Sequence, residues 1–139
     1  MTESMYTAPQ VTNMNEADAT ELAKLRELHK EKYKDEGIKL TYMPYLVKAV
    51  QIALEKNPNL NASVEGDEIV IKKYYNIGIA TDTEDGLIVP VVKRASQKSL
   101  KEIAQEIQKL AEEARSRKIN LMDLKGGSFT ISNLGAIGV

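Results

Sequence analysis

Apolar residues recur at helical spacing in three stretches of the chain. The first opens at Asp18, which the pattern predicts as the cap of a capping box with Glu21, and it is predicted to stop at Gly37. The second spans residues 41–56, with Thr41 as its cap. It is apolar nearly all round, which predicts burial on most of its sides.

The third helix has the clearest pattern. Ser99 and Glu102 form a second capping box at its start. One face is then continuously apolar and the opposite face is polar. The apolar positions are Leu100, Ile103, Ala104, Ile107, Leu110, Ala111 and Ala114. We expect this stripe to pack on a sheet, so that truncating Ile107 to alanine costs about 2–5 kcal/mol.

Short β-branched runs separated by turn residues predict strands. They lie at residues 60–65, 69–80, 87–92 and 128–132, with polar turns at 66–67 and 81–86 and a break at 126–127. Residues 11–19 have a strand-like start with imperfect alternation. The run 87–92 is apolar on both faces, which is typical of a covered strand, and Pro90 within it indicates a bulge or an edge.

Composition restricts the chemistry more than it defines it. The chain has 139 residues, the size of about one domain, and its 19 basic and 20 acidic residues argue against a nucleic-acid partner held by bulk electrostatics. It has no cysteine and one histidine, which excludes disulfides, thiolate chemistry and a multi-histidine metal site. No apolar window or leader pattern predicts a membrane segment, so a cytoplasmic protein is expected.

Few side chains stand out as catalytic candidates. His29 lies within a predicted helix and is interpreted as a surface or half-buried helix residue. The carboxylates of Asp82, Glu84 and Asp85 share one turn, where solvation of the turn is the simpler role. Ser132 ends an apolar strand beside Asn133, so its hydroxyl either projects into a cleft or caps the turn. There is no G-x-S-x-G motif, which argues against a hydrolase nucleophile.

Several ordered segments together resemble one protein family. They are residues 37–44 (GIKLTYMP), 60–63 (LNAS), 76–80 (NIGIA), 85–91 (DGLIVPV) and 126–135 (GGSFTISNLG). In this order and spacing they are similar to the catalytic domain of the dihydrolipoamide acyltransferase component of 2-oxo acid dehydrogenase complexes. The resemblance extends from about residue 7 to residue 139. It implies an α/β fold of the chloramphenicol-acetyltransferase type, a two-layer sandwich of helices on a mixed β-sheet.

The resemblance also implies a function. The family moves an acyl group between dihydrolipoamide and coenzyme A, with the lipoyl group on a separate carrier domain and no metal. The serine that stabilises the oxyanion matches Ser132, and Asn133 is expected to orient the substrate. The implied partners are further copies of the chain in a trimer-based core, and the decarboxylase and dihydrolipoamide dehydrogenase components. Residues 85–91 are candidates to line a subunit interface or substrate channel, although plain sheet core is the simpler explanation for 87–91.

The sequence departs from the family in one respect. The family's H-x-x-x-D-G motif, which holds the general base, is absent, and His29 is followed by residues without an aspartate in register. We therefore expect residues 1–139 to form a C-terminally incomplete catalytic domain without lipoyl or peripheral-subunit-binding domains, inactive on its own. An assembly module and a coenzyme A-binding fragment without catalysis remain the alternatives. The apolar run 134–139 is expected to be covered by self-association or by a partner chain.

Overall fold

In the computed structural model, which describes residues 2–133, helices alternate with short strands. The helices are α1 (Thr2–Thr7), α2 (Thr20–Lys34), α3 (Met43–Lys56) and α4 (Leu100–Arg115), with 3-10 turns at Pro58–Asn61, Ala95–Gln97 and Leu121–Leu124. The strands are β1 (Ala62–Glu65), β2 (Glu68–Ile71), β3 (Ile77–Ile79), β4 (Thr81–Thr83), β5 (Gly86–Ile88), β6 (Val91–Val92) and β7 (Phe129–Ile131). None of these helices is long and apolar enough to cross a membrane.

Strand β3 is the centre of a mixed three-stranded sheet. It pairs antiparallel with β6 and parallel with β7, with Ile77 opposite Phe129 in the parallel pair. Gly78 lies in the middle of β3, where a Cβ atom would come within 2.8 Å of the Val89 side chain and 3.1 Å of the Thr130 hydroxyl. The missing side chain therefore lets the neighbouring chain segments approach closely. β1–β2 and β4–β5 form two separate antiparallel hairpins.

The main hydrophobic core lies between α3, α4 and this sheet. Val47 of α3, Ile77 of β3, Val92 of β6 and Ile103 of α4 have no exposed surface. The prediction of helices packed on a mixed sheet is therefore confirmed.

Helix α4 begins as predicted. The Ser99 hydroxyl accepts a hydrogen bond from the Glu102 backbone N–H at 3.3 Å, and the Glu102 carboxylate accepts from the Ser99 N–H at 2.7 Å. These bonds satisfy two donors that the first helical turn leaves without a partner. The pKa of the Glu102 carboxyl lies below its ordinary value because the Ser99 side chain and backbone hydrogen bonds favour the charged form.

The other two predicted helix starts are displaced. Asp18 accepts from the backbone N–H and the hydroxyl of Thr20, at 2.9 and 2.6 Å, so α2 starts at Thr20 and the predicted capping box is wrong. The bonds to Thr20 compete with the bond to the Glu21 N–H that a capping box at Asp18 would require. The predicted stop is confirmed, since α2 ends before Gly37, whose φ of +69° is the left-handed conformation that glycine adopts without strain. Helix α3 starts at Met43, whose N–H donates to the Thr41 hydroxyl at 3.3 Å.

Helix α3 is buried on one face only. Its buried residues are Met43, Pro44, Val47, Gln51 and Leu54. Leu46 and Ile52, on its outer side, are 39% and 46% exposed. The prediction of burial on most sides is therefore wrong for the described part of the chain.

The predicted strands are shorter than the apolar runs suggest. The run 69–80 divides into β2 and β3. Between them the buried Asn61 amide donates to the carbonyls of Lys72 and Tyr74, at 2.8 and 3.0 Å, so these carbonyls bond to a side chain rather than to a neighbouring strand. The run 87–92 divides at Pro90, which supports the predicted interruption. Leu87 is exposed while Val91 and Val92 are buried, so only the second half of this run is covered on both sides.

Two other predicted segments differ. Residues 81–83 form β4 rather than part of a turn, and residues 11–19 contain no strand. The predicted apolar surface at residues 134–139 lies outside the described residues.

Candidate functional site

Ser132 and Asn133 follow directly on β7, at the edge of the central sheet. The Ala80 N–H donates to the Ile131 carbonyl at 2.9 Å, and this is the last ladder bond before the chain leaves the sheet. Ser132 is exposed, and within residues 2–133 its hydroxyl makes no hydrogen bond. The sequence left two roles open for this hydroxyl, projection into a cleft and capping of a turn. Within residues 2–133 it does not cap a turn. A hydroxyl without a partner is free to donate to a ligand.

Asn133 lies at a groove of about 370 Å³ beside the end of the sheet. The groove runs between α4, the segment before α3 and the junction of β3 and β4. Its apolar wall includes Met43, Ile79, Ile107 and Leu110, and its polar rim includes Lys39, Thr81, Asp82, Arg115 and Asn133. An apolar wall with a few convergent polar groups is the usual make-up of a small-molecule site.

The rim of the groove carries two cations. Lys39 and Arg115 are exposed, and neither forms an ion pair with another residue between positions 2 and 133. The Lys39 backbone N–H donates to the Gln108 side-chain oxygen at 3.1 Å, which ties this segment to α4. Two unpaired cations above an apolar wall favour a ligand with an anionic end and an apolar arm.

The three carboxylates that share one turn in the sequence are divided in the structure. Asp82 lines the groove. Asp85 forms a bidentate pair with Arg117, at 2.7 Å from Nη2 to Oδ1 and 2.5 Å from Nε to Oδ2, and Glu84 lies 3.9 Å from the same guanidinium. These partners are exposed, so the pairs hold the β4–β5 turn on the surface at less than about 1 kcal/mol each. The interpretation as a solvated turn is confirmed for Glu84 and Asp85.

His29 belongs to the contact between α2 and α3. Its Nδ1 lies 2.9 Å from the Tyr45 hydroxyl, and the two rings are stacked with centroids 6.1 Å apart. Burial raises the pKa of the Tyr45 hydroxyl, Tyr33 adds to the rise, and Arg26 opposes it. His29 is half-buried, as interpreted from the sequence, and it is not among the described residues that line the groove.

The sequence marks Ser132 and Asn133 as candidates, and of these two Asn133 lines the groove, whereas the groove itself was not predicted. Lys39 has no distinguishing neighbour in the sequence, and Arg115 falls on the polar face of α4, where solvation explains a charge. Only tertiary packing brings the two cations to one rim.

The helices packed on a mixed sheet define a fold of the chloramphenicol-acetyltransferase type. The fold matches that of the Azotobacter vinelandii dihydrolipoamide acetyltransferase with a TM-score of 0.95 and 43% identity, over 99% of this chain and 58% of the other. It matches the cubic core of the pyruvate dehydrogenase multienzyme complex with a TM-score of 0.95 and 44% identity, again over 99% and 58%.

The sequence identifies the family. The profile of the 2-oxoacid dehydrogenases acyltransferase catalytic domain matches residues 1–139, and the chain belongs to this family. A relative from Bacillus subtilis, the dihydrolipoyllysine-residue acetyltransferase component of the pyruvate dehydrogenase complex, is 51% identical over 140 residues. That alignment covers 99% of this chain, which spans 32% of the relative's length. The resemblance found in the sequence motifs is confirmed.

Proposed function

We propose that this chain carries the serine part of an acyl-transfer site that moves an acyl group between dihydrolipoamide and coenzyme A. Membership of the acyltransferase family supports the class of reaction. The observation that carries the proposal is the Ser132 hydroxyl, which is exposed and makes no hydrogen bond within residues 2–133. Ser132 precedes Asn133, which lines a groove with an apolar wall and a rim that holds Lys39, Arg115 and Asp82. Acetyl is the acyl group to test first, because the Bacillus relative is an acetyltransferase.

Ser132 is proposed as the oxyanion donor. Attack of a thiolate on a thioester places a negative charge on the carbonyl oxygen, and a neutral hydroxyl stabilises that charge only once it develops. One such donor contributes about 10²–10³ in rate. The Azotobacter relative was studied for the roles of a serine, a histidine and an asparagine in its catalytic mechanism, and Ser132 is proposed to correspond to that serine. Asn133, on the groove rim, is proposed to orient the substrate.

We propose that coenzyme A binds in the groove as a substrate. Its phosphates suit the cations of Lys39 and Arg115, and its flexible arm suits the apolar wall along α4. No step of this assignment requires a metal. The lipoyl group is proposed to arrive on a separate carrier domain.

The general base is proposed to come from outside these 139 residues. The single histidine is His29, which contacts Tyr45 and does not line the groove within the described chain. A homo-oligomer built from trimers is proposed to complete the site, together with the decarboxylase and dihydrolipoamide dehydrogenase components of a cytoplasmic complex. The structural relative that forms a cubic core supports assembly of this kind.

Two measurements test the proposal. Titration calorimetry should show coenzyme A binding that weakens at least tenfold in Lys39→Ala and Arg115→Ala, because each change removes one charge from the rim. Lys109→Ala, which removes an exposed α4 charge outside the groove lining, is the matched control. Absence of binding, or equal weakening in the control, contradicts the assignment of the groove.

The second measurement is acyl transfer from acetyl-coenzyme A to dihydrolipoamide, followed by thiol release. The isolated chain should turn over near background, and Ser132→Ala should lower the rate no further, because the base that activates the thiol contributes about 10²–10⁴. Turnover well above background that is lost in Ser132→Ala would place the base within this chain and contradict that part of the proposal. Binding without turnover would also fit a coenzyme A-binding fragment. Adding a copy of the family's catalytic domain that keeps its histidine but has its own oxyanion serine replaced by alanine distinguishes the two, because a restored rate then depends on Ser132 of this chain.

A further inference from the structure

Asn76 joins three segments of the chain at the start of the central strand. Its side-chain Nδ2 donates to the Gly126 carbonyl at 2.8 Å, and its Oδ1 accepts from the Arg94 backbone N–H at 2.8 Å. Its backbone carbonyl accepts from the N–H groups of Ser128 and Phe129, at 2.8 and 3.4 Å. Its own backbone N–H donates to the Ser128 hydroxyl at 3.2 Å. Both ends of the amide and both backbone groups are therefore used.

These bonds lie where β7 begins. β7 has three residues, and within residues 2–133 it pairs only with β3, which starts directly after Asn76. Such a short parallel pair has few ladder bonds of its own to specify its register. A shift of one residue would turn every side chain of β7 to the opposite face, and the residues that follow it would move with it.

The contact requires an amide at this position. The side chain must present a donor to one backbone carbonyl and an acceptor to one backbone N–H, and a carboxylate presents two acceptors. The N–H that it binds belongs to Arg94, which has a φ of +51°. A non-glycine residue in the left-handed region is held there by its surroundings, and Asn76 supplies one of the bonds that hold it.

We propose that Asn76 is a positioning residue of the acyl-transfer site, which sets the register in which β7 presents Ser132 and Asn133. The inference rests on the proposed function for the role of Ser132. The Asn76 amide binds the Gly126 loop and the Arg94 turn at the start of β3. This contact fixes which residue of β7 lies opposite Ile77, and with it the register of β7.

Asn76→Asp tests the donor end of the contact. At pH 7 the new carboxylate faces the Gly126 carbonyl, whereas near pH 4, about the ordinary pKa of an aspartate, the protonated oxygen can donate again. The readout is amide hydrogen exchange and chemical shift by NMR, for Ala80, whose N–H donates to Ile131, and for Ser132. At pH 7 the Ala80 protection factor should fall about tenfold, the factor for loss of about one hydrogen bond. On acidification it should return towards the wild-type value measured at the same pH.

Two further variants make the test decisive. Asn120→Asp is the matched control, because that side chain accepts from the Met122 N–H through its oxygen and a carboxylate can do the same, so neither readout should change. Asn76→Ala removes both side-chain bonds without adding a charge and should lose protection at both pH values. It also replaces Asn76→Asp as the test if that variant does not fold at pH 7.

The outcomes separate the inference from the proposed function. Unchanged Ala80 protection and Ser132 shifts in both Asn76 variants overturn the positioning role, whatever the activity. Loss of protection in Asn76→Asp without recovery in acid also overturns it. Recovery of the Ala80 protection of Asn76→Asp in acid supports the positioning of β7. If Ser132→Ala nevertheless transfers acyl groups at the normal rate in the complemented enzyme, the oxyanion role is overturned instead.

Discussion

The most direct test of the packing of α4 compares two isoleucines one turn apart. Ile103 has no exposed surface and lies in the core with Val47, Ile77 and Val92. Ile107 is half-buried and lines the groove. The sequence pattern places both on one apolar stripe, whereas the structure gives them different environments.

The structure sets the expected magnitudes. Replacing isoleucine by alanine removes three carbon atoms, and each buried CH₂ contributes about 0.8 kcal/mol, or about 2.4 kcal/mol for Ile103. A closed core adds a cavity term, so Ile103→Ala should lower the free energy of unfolding by about 3–5 kcal/mol. Ile107 loses about half of the transfer term and leaves no closed cavity, so Ile107→Ala should cost about 1 kcal/mol. This is less than the 2–5 kcal/mol expected from the stripe alone.

Urea unfolding followed by far-ultraviolet circular dichroism measures both changes. Equal slopes for the variants and the wild type would allow the midpoints to be compared as free energies. Equal losses for Ile103→Ala and Ile107→Ala would refute the packing described here. A loss below about 0.5 kcal/mol for Ile103→Ala, the size expected of a surface site, would refute it as well.

The start of α4 gives two further predictions. Ser99→Ala should lower the free energy of unfolding by about 1 kcal/mol, because the Glu102 backbone N–H loses the hydroxyl that accepts from it. Ser116→Ala at the other end of the helix is the comparison, and urea midpoints are the readout. Because the folded-state pKa of Glu102 is below its ordinary value, its contribution is fully present above about pH 4.5 and is lost as the pH falls through the folded pKa. The stability difference between wild type and Glu102→Gln should therefore shrink below pH 4.5, and a difference that is constant from pH 7 to pH 3 would contradict this assignment.

Local signals predicted the structure where local bonds decide it. The capping box at Ser99 is complete within one turn, so four residues suffice to predict it. The same spacing at Asp18 fails because the Thr20 hydroxyl and N–H offer the carboxylate a nearer pair of donors. The division between β2 and β3 was not predictable locally, since the carbonyls between them bond to the Asn61 amide, which lies on a preceding turn.

The candidate site shows the same limit. Ser132 could be selected as a candidate because it follows an apolar strand within a recognisable segment, and its role stays a prediction. Lys39 and Arg115 reach one rim only through the packing of α4 against the segment before α3, and neither position is unusual in the sequence. Asn76 is equally hidden, since its partners at Arg94 and Gly126 are distant along the chain.

The wrong prediction for α3 has a different origin. Its nearly continuous apolar composition indicates that burial of each face would be favourable, by about 25 cal/mol per Å² of apolar surface. It does not indicate which elements cover that face. Within residues 2–133, α4 and the sheet cover one side, and Leu46 and Ile52 remain partly exposed on the other. Composition therefore predicts how much free energy burial of a face would release. Whether the face is buried in the described chain depends on which neighbouring elements cover it. The two agree for α4, whose polar face needs no cover, and differ for α3, which has no polar face of that kind.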